Sequence, residues 1–281
     1  MRLRHKVQLA STLLHNAHIK GFATFSIYQG AGKKLCVPVL NCYSCPGALG
    51  SCPIGSMQFM LASAQHQFSF YVAGVLTMVG AAAGRFACGW LCPFGMIQEW
   101  LGRLSSYKKG IPRVLTYIKY IILIFTLLLP VWWLNAAGVG SPYFCQYLCP
   151  AGTLEGGLLL GVAQPELRSM MGGLFAWKLG VLLFFLLAAI ITYRPFCRVL
   201  CPLGAIYALF NRVSLWRLEV HQDNCISCGR CQQSCPVDIK VYTQPNSPEC
   251  IRCLQCIDEC PQNALHFSIR SYSMTAGDQQ C

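Results

Sequence analysis

Long apolar stretches separated by short basic segments run through the first two thirds of the chain. They cover residues 7–29, 68–83, 114–134 and 174–193. Because about 20 apolar residues in a helix cross the hydrocarbon of a bilayer, the pattern predicts an α-helical integral membrane protein with about four transmembrane helices. Polar residues from His15 to Lys20 interrupt the first stretch, and an interfacial amphipathic helix is the alternative there.

Composition and charge support a membrane location. Hydrophobic residues make up 54% of the 281 residues and charged residues only 11%, too few to cover a soluble protein of this size. Basic residues cluster in 102–113 and 194–217, whereas 135–173 holds one arginine and two glutamates. Since basic loops stay cytoplasmic, we expect a multi-pass protein of the cell membrane with both termini in the cytoplasm. No basic segment interleaved with aromatic residues indicates nucleic-acid binding.

A Cys-Pro-x-Gly repeat overlays the apolar stretches. It begins at Cys52, Cys92, Cys149 and Cys201. In the last three copies a further cysteine precedes by four positions, at Cys88, Cys145 and Cys197. Proline is favoured in the first turn of a helix, so the repeats predict cysteines at helix N-termini, where the helix dipole stabilises an anionic group.

Two further cysteine runs lie near the C-terminus. The first run is Cys225, Cys228, Cys231 and Cys235, and the second run is Cys250, Cys253, Cys256 and Cys260. In both, the last cysteine follows an x3 step and precedes proline, as in bacterial ferredoxins with two [4Fe-4S] clusters. The last cysteine of each run then ligates the other run's cluster. The expected ligands are Cys225, Cys228, Cys231 and Cys260 for cluster one, and Cys250, Cys253, Cys256 and Cys235 for cluster two. Four-cysteine zinc sites are the alternative.

The predicted organisation is a membrane domain (1–217), a C-terminal α+β bacterial-type 2[4Fe-4S] ferredoxin domain (218–270) and a tail (271–281). The predicted orientation sorts the membrane cysteines into an inner set and an outer set. The inner set is Cys88, Cys92, Cys197 and Cys201; the outer set is Cys42, Cys45, Cys52, Cys145 and Cys149. Our hypothesis is that each set holds a metal site, giving one or two further iron–sulfur clusters. Outer disulfides and structural or transiently metal-binding inner thiols are the alternatives. Cys36 and Cys281 fit no repeat.

A few other residues have two interpretations. His15 and His18 could face one side of a helix as quinol or haem ligands, or be polar residues of an interfacial helix. His66, Glu99 and Glu155 could relay protons at a quinone site, although we favour solvated interface residues. No c-type haem, dinucleotide or P-loop motif occurs.

With these motifs in place, the chain resembles the NapH/MauN-type membrane polyferredoxins over residues 68–265. The resemblance rests on Cys88-Gly-Trp-Leu-Cys92-Pro-Phe-Gly, Cys197-Arg-Val-Leu-Cys201-Pro-Leu-Gly and the two C-terminal runs. It implies four transmembrane helices, cytoplasmic ferredoxin clusters and electron transfer to an extracytoplasmic redox partner. The Cys42–Cys52 block and the Cys145/Cys149 pair depart from the simplest family pattern. The donor is therefore a quinol, or else reduced ferredoxin or flavodoxin.

The expected function is one-electron relay between a cytoplasmic or quinol donor and a membrane or extracytoplasmic redox partner. The chain would be the electron-transfer subunit of an oxidoreductase, such as a quinol dehydrogenase, in a hetero-oligomeric membrane complex. Expected partners are redox proteins, the lipid bilayer, and quinone, ferredoxin or an extracytoplasmic flavoprotein. An assembly or regulatory factor for a metalloenzyme is the alternative, and a metal-ion transporter is a weaker one because it leaves the ferredoxin runs without a purpose.

Overall fold

The computed structural model describes residues 3–63, 68–105, 107–136, 138–169 and 171–269, most of them helical. His66, Cys281 and the predicted tail lie outside these ranges. The α-helices are α1 (Leu3–His15), α2 (Ile19–Thr24), α3 (Pro53–Ala62), α4 (Phe70–Ala83), α5 (Phe86–Trp90), α6 (Pro93–Gly102), α7 (Arg113–Thr116), α8 (Ile118–Trp132), α9 (Pro150–Gly152), α10 (Leu159–Ala163), α11 (Pro165–Ser169), α12 (Gly173–Ile191), α13 (Pro195–Val199), α14 (Pro202–Phe210), α15 (Arg230–Gln233) and α16 (Gln255–Asp258). The described residues also form 3₁₀-helices (Ala31–Lys34, Gln222–Asn224), π-helices (Phe144–Leu148, Thr153–Leu158) and strands β1 (Trp216–Val220) and β2 (Leu265–Ile269).

Two helical segments in the described residues have the length and composition of membrane spans. Arg113–Trp132, which joins α7 and α8, has 20 residues and a mean hydropathy of 2.2; α12 has 19 residues and a mean hydropathy of 2.5. Only 22% and 17% of these segments are buried, so their apolar side chains face outward, as expected for contact with lipid. The apolar α4 has 14 residues, fewer than a perpendicular span needs. Helix length therefore supports two of the four predicted spans.

The first apolar stretch does not form one helix. α1 ends at His15 and α2 begins at Ile19, so the prediction of a continuous span over 7–29 was wrong. The two histidines also belong to different elements. His15 Nδ1 bonds with Ser11 Oγ in α1, whereas His18 Nδ1 lies 3.1 Å from the Pro46 carbonyl oxygen. The alternative in which they face one side of a helix as quinol or haem ligands is therefore not supported.

α1 is polar on its buried side and apolar on its exposed side. Gln8 Nε2 donates to the Cys92 carbonyl (3.0 Å) and Ser11 Oγ donates to the Leu91 carbonyl (3.2 Å). Leu13 and Leu14 are 64% and 70% exposed. This inverted arrangement suits a helix whose outer face meets apolar surroundings, and it ties α1 to the start of α6.

The Cys-Pro-x-Gly repeats behave as predicted. Cys52, Cys92, Cys149 and Cys201 are the N-cap residues of α3, α6, α9 and α14, each followed by proline in the first turn. The backbone N–H groups of Gly152 and Gly204 donate to the sulfur atoms of Cys149 (3.4 Å) and Cys201 (3.3 Å). The helix N-termini thus present donors to the thiol sulfur atoms.

Two hydrophobic clusters form the core. One joins α3, α4, α12 and α14 and contains the four inner cysteines together with Cys52 and Cys149 of the outer set. The other joins β1, β2 and the second run. β1 and β2 pair antiparallel, with Leu218 opposite Phe267 and Val220 opposite Leu265. This hairpin-like sheet brings both ends of the cysteine-rich C-terminal part together beside the helical part.

Candidate cluster-binding sites

The eight cysteines of the C-terminal part line two separate cavities. The first cavity is lined by Cys225, Cys228, Cys231 and Cys260, and the second by Cys250, Cys253, Cys256 and Cys235. Each cavity thus takes three cysteines from one run and one from the other. The arrangement matches the donor set of a cubane cluster, which needs a thiolate at each of four corners.

Matching left-handed backbone positions curl both runs around their cavities. Ser227 (φ 51°) and Gly229 (φ 74°) flank Cys228 in the first run. Arg252 (φ 51°) and Leu254 (φ 63°) occupy the corresponding positions of the second. Such backbone angles are uncommon outside glycine. Their recurrence at equivalent positions shows that the two runs form the same loop shape, although the side chains at these positions differ.

The two cavities differ in exposure. Cys228 is exposed, and its neighbour Ile226 is 62% exposed. In the second cavity Cys250 and Cys256 are 8% and 7% exposed, and apolar residues such as Ile251 complete the lining. The first run therefore faces solvent, and the second faces the interior of the protein.

The inner set forms one buried group at the ends of α5 and α13. The exposed fractions of Cys88, Cys92, Cys197 and Cys201 are 8%, 7%, 6% and 5%. Burial, and then the charges of Cys197 and Cys88, raise the pKa of the Cys92 thiol above its usual range. Gln98 Nε2 also donates to Cys197 Sγ (3.1 Å). The four thiols therefore lie close enough to interact electrostatically, and they are shielded from water.

Two arginines bind this set reciprocally. Arg85 precedes Cys88 by three residues, yet its Nη2 donates to the Cys197 carbonyl (3.0 Å). Arg194 precedes Cys197 by three residues, yet its Nη1 donates to the Cys88 carbonyl (2.7 Å). Their exposed fractions are 0% and 2%. Each half of the inner set is therefore held by the arginine of the other half.

The glycines of the repeat make room for these arginines. A Cβ atom on Gly95 would lie 3.0 Å from Arg194 Nη1, and one on Gly204 would lie 3.2 Å from Arg85 Nη2. Our sequence analysis missed both arginines. The signal was present as Arg-x2-Cys-x3-Cys-Pro-x-Gly at 85–95 and 194–204; the outer Cys145 has Pro142 in the equivalent position.

Two carboxylates balance part of this buried positive charge. Glu99 pairs with Arg4 and Arg194, each at 2.8 Å, and its side chain is 8% exposed. Burial alone would raise the pKa of Glu99, but Arg194 and Arg4 lower it below its usual range. Glu249, beside the second run, pairs with Arg85 (3.4 Å) and with Lys119. Our interpretation of Glu99 as a solvated interface residue was wrong.

Four of the five outer cysteines converge. A Cβ atom on Gly152 would lie 3.6 Å from Cys42 Sγ and 3.7 Å from Cys149 Sγ. Burial, and then the charges of Cys52 and Cys42, raise the pKa of Cys145. The remaining member, Cys45, is 3% exposed, and its thiol accepts from the backbone of its own turn. The structure therefore groups Cys42, Cys52, Cys145 and Cys149 and leaves Cys45 to one side.

A carboxylate stands beside the outer set. Glu155 Oε2 accepts the backbone N–H of Cys42 (2.6 Å), so this residue is not a solvated interface residue either. Burial raises the pKa of Glu155 to about 7, although the Cys42 hydrogen bond acts in the opposite direction. The outer set thus has a partly buried acid where the inner set has arginines.

Tyr207 of α14 lies between the inner and outer sets. Its side chain is 0% exposed and its hydroxyl donates to the Pro38 carbonyl (3.0 Å). Burial, and then the charges of Cys88, Cys36, Cys92 and Cys52, raise its pKa. One buried side chain is therefore within electrostatic reach of thiols from both sets.

The second run rests directly on the inner set. Trp90, between Cys88 and Cys92, donates its Nε1–H to the Arg252 carbonyl (2.9 Å). The backbone at Gly89 approaches the Ile251 carbonyl so closely that a Cβ atom on Gly89 would clash with it. Arg85 Nη1 also donates to the Pro248 carbonyl (2.9 Å). The second run therefore contacts the helical part directly beside the inner set.

The donor sets fit [4Fe-4S] clusters. Every cysteine in the described ranges is a free thiol. Within those ranges, no three Cys, His, Asp or Glu side chains converge tightly enough for a single metal ion, whereas a cubane places its four thiolates further apart. The buried nitrogen atoms Arg85 Nε and Arg198 Nη1 lack hydrogen-bond partners in the described structure, as expected where a bulky anion completes the charge balance.

Comparisons with known proteins agree with this chemistry. A family model described as a 4Fe-4S binding domain matches residues 65–112, 120–160 and 174–221, and two further 4Fe-4S binding domain models match 216–237 and 245–266. An uncharacterized protein of Methanocaldococcus jannaschii is 33% identical over 69% of this chain and 75% of its own length. The methylamine utilization ferredoxin-type protein MauN of Paracoccus denitrificans is 30% identical over 54% and 48%, and the ferredoxin-type protein NapH of Haemophilus influenzae is 26% identical over 75% and 74%. No solved structure matches the chain.

The cysteine groups and these matches define a ferredoxin-type iron–sulfur protein that carries [4Fe-4S] clusters and serves in electron transfer. The chain belongs to the family of NapH/MauN-type polyferredoxins. The sequence predictions of the family and of iron–sulfur clusters are thereby confirmed, and a bound quinone stays a prediction.

Proposed function

We propose that the chain is a membrane-embedded relay for single electrons, acting between a cytoplasmic or quinol donor and a membrane or extracytoplasmic redox partner within a larger redox complex. Bound [4Fe-4S] clusters supply the one-electron chemistry. The chain's own task is to hold the clusters, shield them from water and keep them at short distances. The observation that carries the proposal is the continuity of the cysteine groups: the second run contacts the inner set, and Tyr207 is within electrostatic reach of thiols from both the inner and the outer set.

In this proposal the eight cysteines of the C-terminal part hold two clusters with the crossed ligand sets given above. The inner four cysteines hold a third, and Cys42, Cys52, Cys145 and Cys149 hold a fourth. The membrane domain comprises residues 1–217 and the ferredoxin domain residues 218–270. Their separate hydrophobic clusters support this division.

We further propose that the chain crosses the membrane more than once, through α7–α8 and α12 among others, with the ferredoxin domain on the cytoplasmic side. The basic segment 102–113 supports this orientation, because Lys108 Nζ donates to the Ile190 carbonyl (2.6 Å) at the C-terminal end of α12. A Cβ atom on Gly110, in the same segment, would lie 3.1 Å from Asp238 of the ferredoxin part. Basic loop and ferredoxin part thus occupy the same end of the helical part, which is the end that the positive-inside rule assigns to the cytoplasm.

A quinol donor belongs to the proposal because a cavity of about 180 Å³ opens beside the inner set, between α1, α6 and the ferredoxin part. His5, Glu99, Arg103 and Tyr193 line it. Glu99 is held ionised by its arginines and is a weak proton acceptor. Burial and then Arg4 lower the pKa of His5 below 6.5, so its imidazole is neutral near pH 7 and is the better acceptor for a quinol proton.

The decisive measurement is iron and acid-labile sulfide per chain in anaerobically purified protein, with EPR of the reduced sample. Two clusters account for about eight irons, and four clusters for about sixteen. We expect more than eight, with a loss of about four irons in both Cys92→Ala and Cys149→Ala. Cys36→Ala is the matched control, because Cys36 is equally buried and belongs to no repeat.

A content of about eight irons, unchanged in both variants, would contradict the relay across the membrane. The membrane cysteines would then be structural, and the alternative role in metalloenzyme assembly or regulation would gain support. A stable complex with a cofactor-free enzyme, rather than with an active redox partner, would favour that alternative directly.

A further inference from the structure

Buried positive charge is concentrated at the inner set. Five cations share the two carboxylates Glu99 and Glu249 through ion pairs of 3.9 Å or less. These cations are Arg4, Arg85, Lys119, Arg194 and Arg198. Their side chains are between 0% and 6% exposed, so water screens them little. The inner set therefore sits in a field with a clear excess of positive charge.

The outer set has a different electrostatic environment. Its nearest acid is Glu155, which contacts Cys42. Lys33 is the nearest buried cation, but its Nζ donates to the Tyr43 carbonyl and lies 4.5 Å from the centre of the Tyr43 ring. Lys178 of α12 acts on Cys145 from a partly buried position. No pair of arginines corresponding to the inner pair is present among the described residues around the outer cysteines.

We propose that the reciprocal arginines, Arg85 and Arg194, raise the reduction potential of the inner site above that of the outer site. The inference rests on the proposed function, since it requires a cluster at each set. Reduction adds one negative charge to the site, and a buried cation nearby stabilises the reduced form more than the oxidised form. Both arginines also bond to the carbonyl groups of ligand residues, so they position the thiols as well.

The order of the two reduction potentials decides which direction of electron transfer is favourable. An electron shared between the two membrane sites rests preferentially at the inner one, beside the ferredoxin part. Transfer from the outer to the inner site then needs no further driving force. Transfer in the opposite direction needs a strongly reducing donor on the ferredoxin side or a strongly oxidising acceptor beyond the outer site.

The test is an EPR-monitored redox titration of the full chain in detergent under anaerobic conditions. The inner and outer signals are assigned as those lost in Cys92→Ala and Cys149→Ala. We expect the wild-type inner midpoint to lie above the outer one, and Arg194→Met to lower only the inner midpoint. At fixed potential the inner reduced-to-oxidised ratio should fall at least tenfold, a shift of about 59 mV. Arg194→Lys, which keeps the charge, should restore most of the shift.

Two further variants protect the test against misfolding. Arg85→Met should give the same downward shift, and it leaves Glu249 paired with Lys119 and Arg198, just as Arg194→Met leaves Glu99 paired with Arg4. Arg168→Met, at an exposed arginine of α11, is the control and should shift neither midpoint. An inner midpoint at or below the outer one, or methionine variants of normal iron content that do not shift it, would overturn the inference. An iron content of about eight in the wild type would instead reject the proposed function before any arginine is changed, and the inference with it.

Discussion

Replacing Glu99 with glutamine tests how strongly buried ion pairs hold the helical part together. The carboxylate pairs with Arg4 and Arg194 at 2.8 Å each, and the exposed fractions of the three side chains are 8%, 4% and 1%. Glutamine has nearly the same volume and keeps one acceptor, so the substitution removes the charge without opening a cavity. Removing one partner of a buried ion pair costs about 3–5 kcal/mol. We expect Glu99→Gln to lower the free energy of unfolding by that amount.

The assay is equilibrium unfolding of the purified protein in detergent, followed by circular dichroism against denaturant concentration. Glu219→Gln is the matched control, because the Glu219–Arg217 pair at 3.1 Å has side chains 36% and 34% exposed. Such a surface pair contributes at most about 1 kcal/mol. Adding Arg4→Met to Glu99→Gln removes one of the two unpaired cations and should recover part of the loss. A loss in Glu99→Gln no larger than that in Glu219→Gln would refute the reasoning.

Three further predictions concern the sites and their pH dependence. In Gly89→Ala the new Cβ atom would clash with the second run and displace it, so we expect a weaker EPR spin–spin interaction between neighbouring clusters. Gly74→Ala is the control, because nothing lies within 4 Å of the added Cβ atom. Identical EPR spectra for the Gly89→Ala variant and the wild type would contradict the contact. We expect the Cys45→Ser variant to keep the wild-type iron content and the Cys149→Ser variant to lose iron. An equal loss of iron in both variants would show that Cys45 is also a ligand. Because the pKa of Glu99 in the folded protein lies below 4.5, its stabilisation is complete above that pH and is lost as the pH falls through the folded-state pKa; unfolding measured against pH should show this loss in the wild type and not in Glu99→Gln.

Features that depend on neighbours in the chain could be read from the sequence. The N-cap positions of Cys92 and Cys201 follow from the proline after each, since proline favours the first helical turn whatever surrounds it. The two C-terminal runs are equally local, because their short spacings bring three thiols of each run into one loop. The spans α8 and α12 follow from their uninterrupted apolar composition.

Features that depend on distant contacts could not be read in this way. The helix break after His15 results from residues 16–18 packing against the turn around Gly47 and Pro46, which no local pattern announces. Arg85 and Arg194 appear in the sequence as flanking basic residues, but folding carries each across to the cysteine pair of the other repeat. Cys42 and Cys45 lie in the same short block of the sequence, and only the approach of α9 to Cys42 distinguishes the two cysteines.

The sequence by itself thus determined the iron–sulfur chemistry, the helix starts at the cysteines and the two long apolar helices. The tertiary structure alone decided which thiols converge, how the second run contacts the inner set and where the buried charges lie. The physical reason is that thiol spacing and helix capping are set by covalent geometry over a few residues. The grouping of cysteines and arginines far apart in the chain is instead set by how the helices pack and by the need to compensate each buried charge.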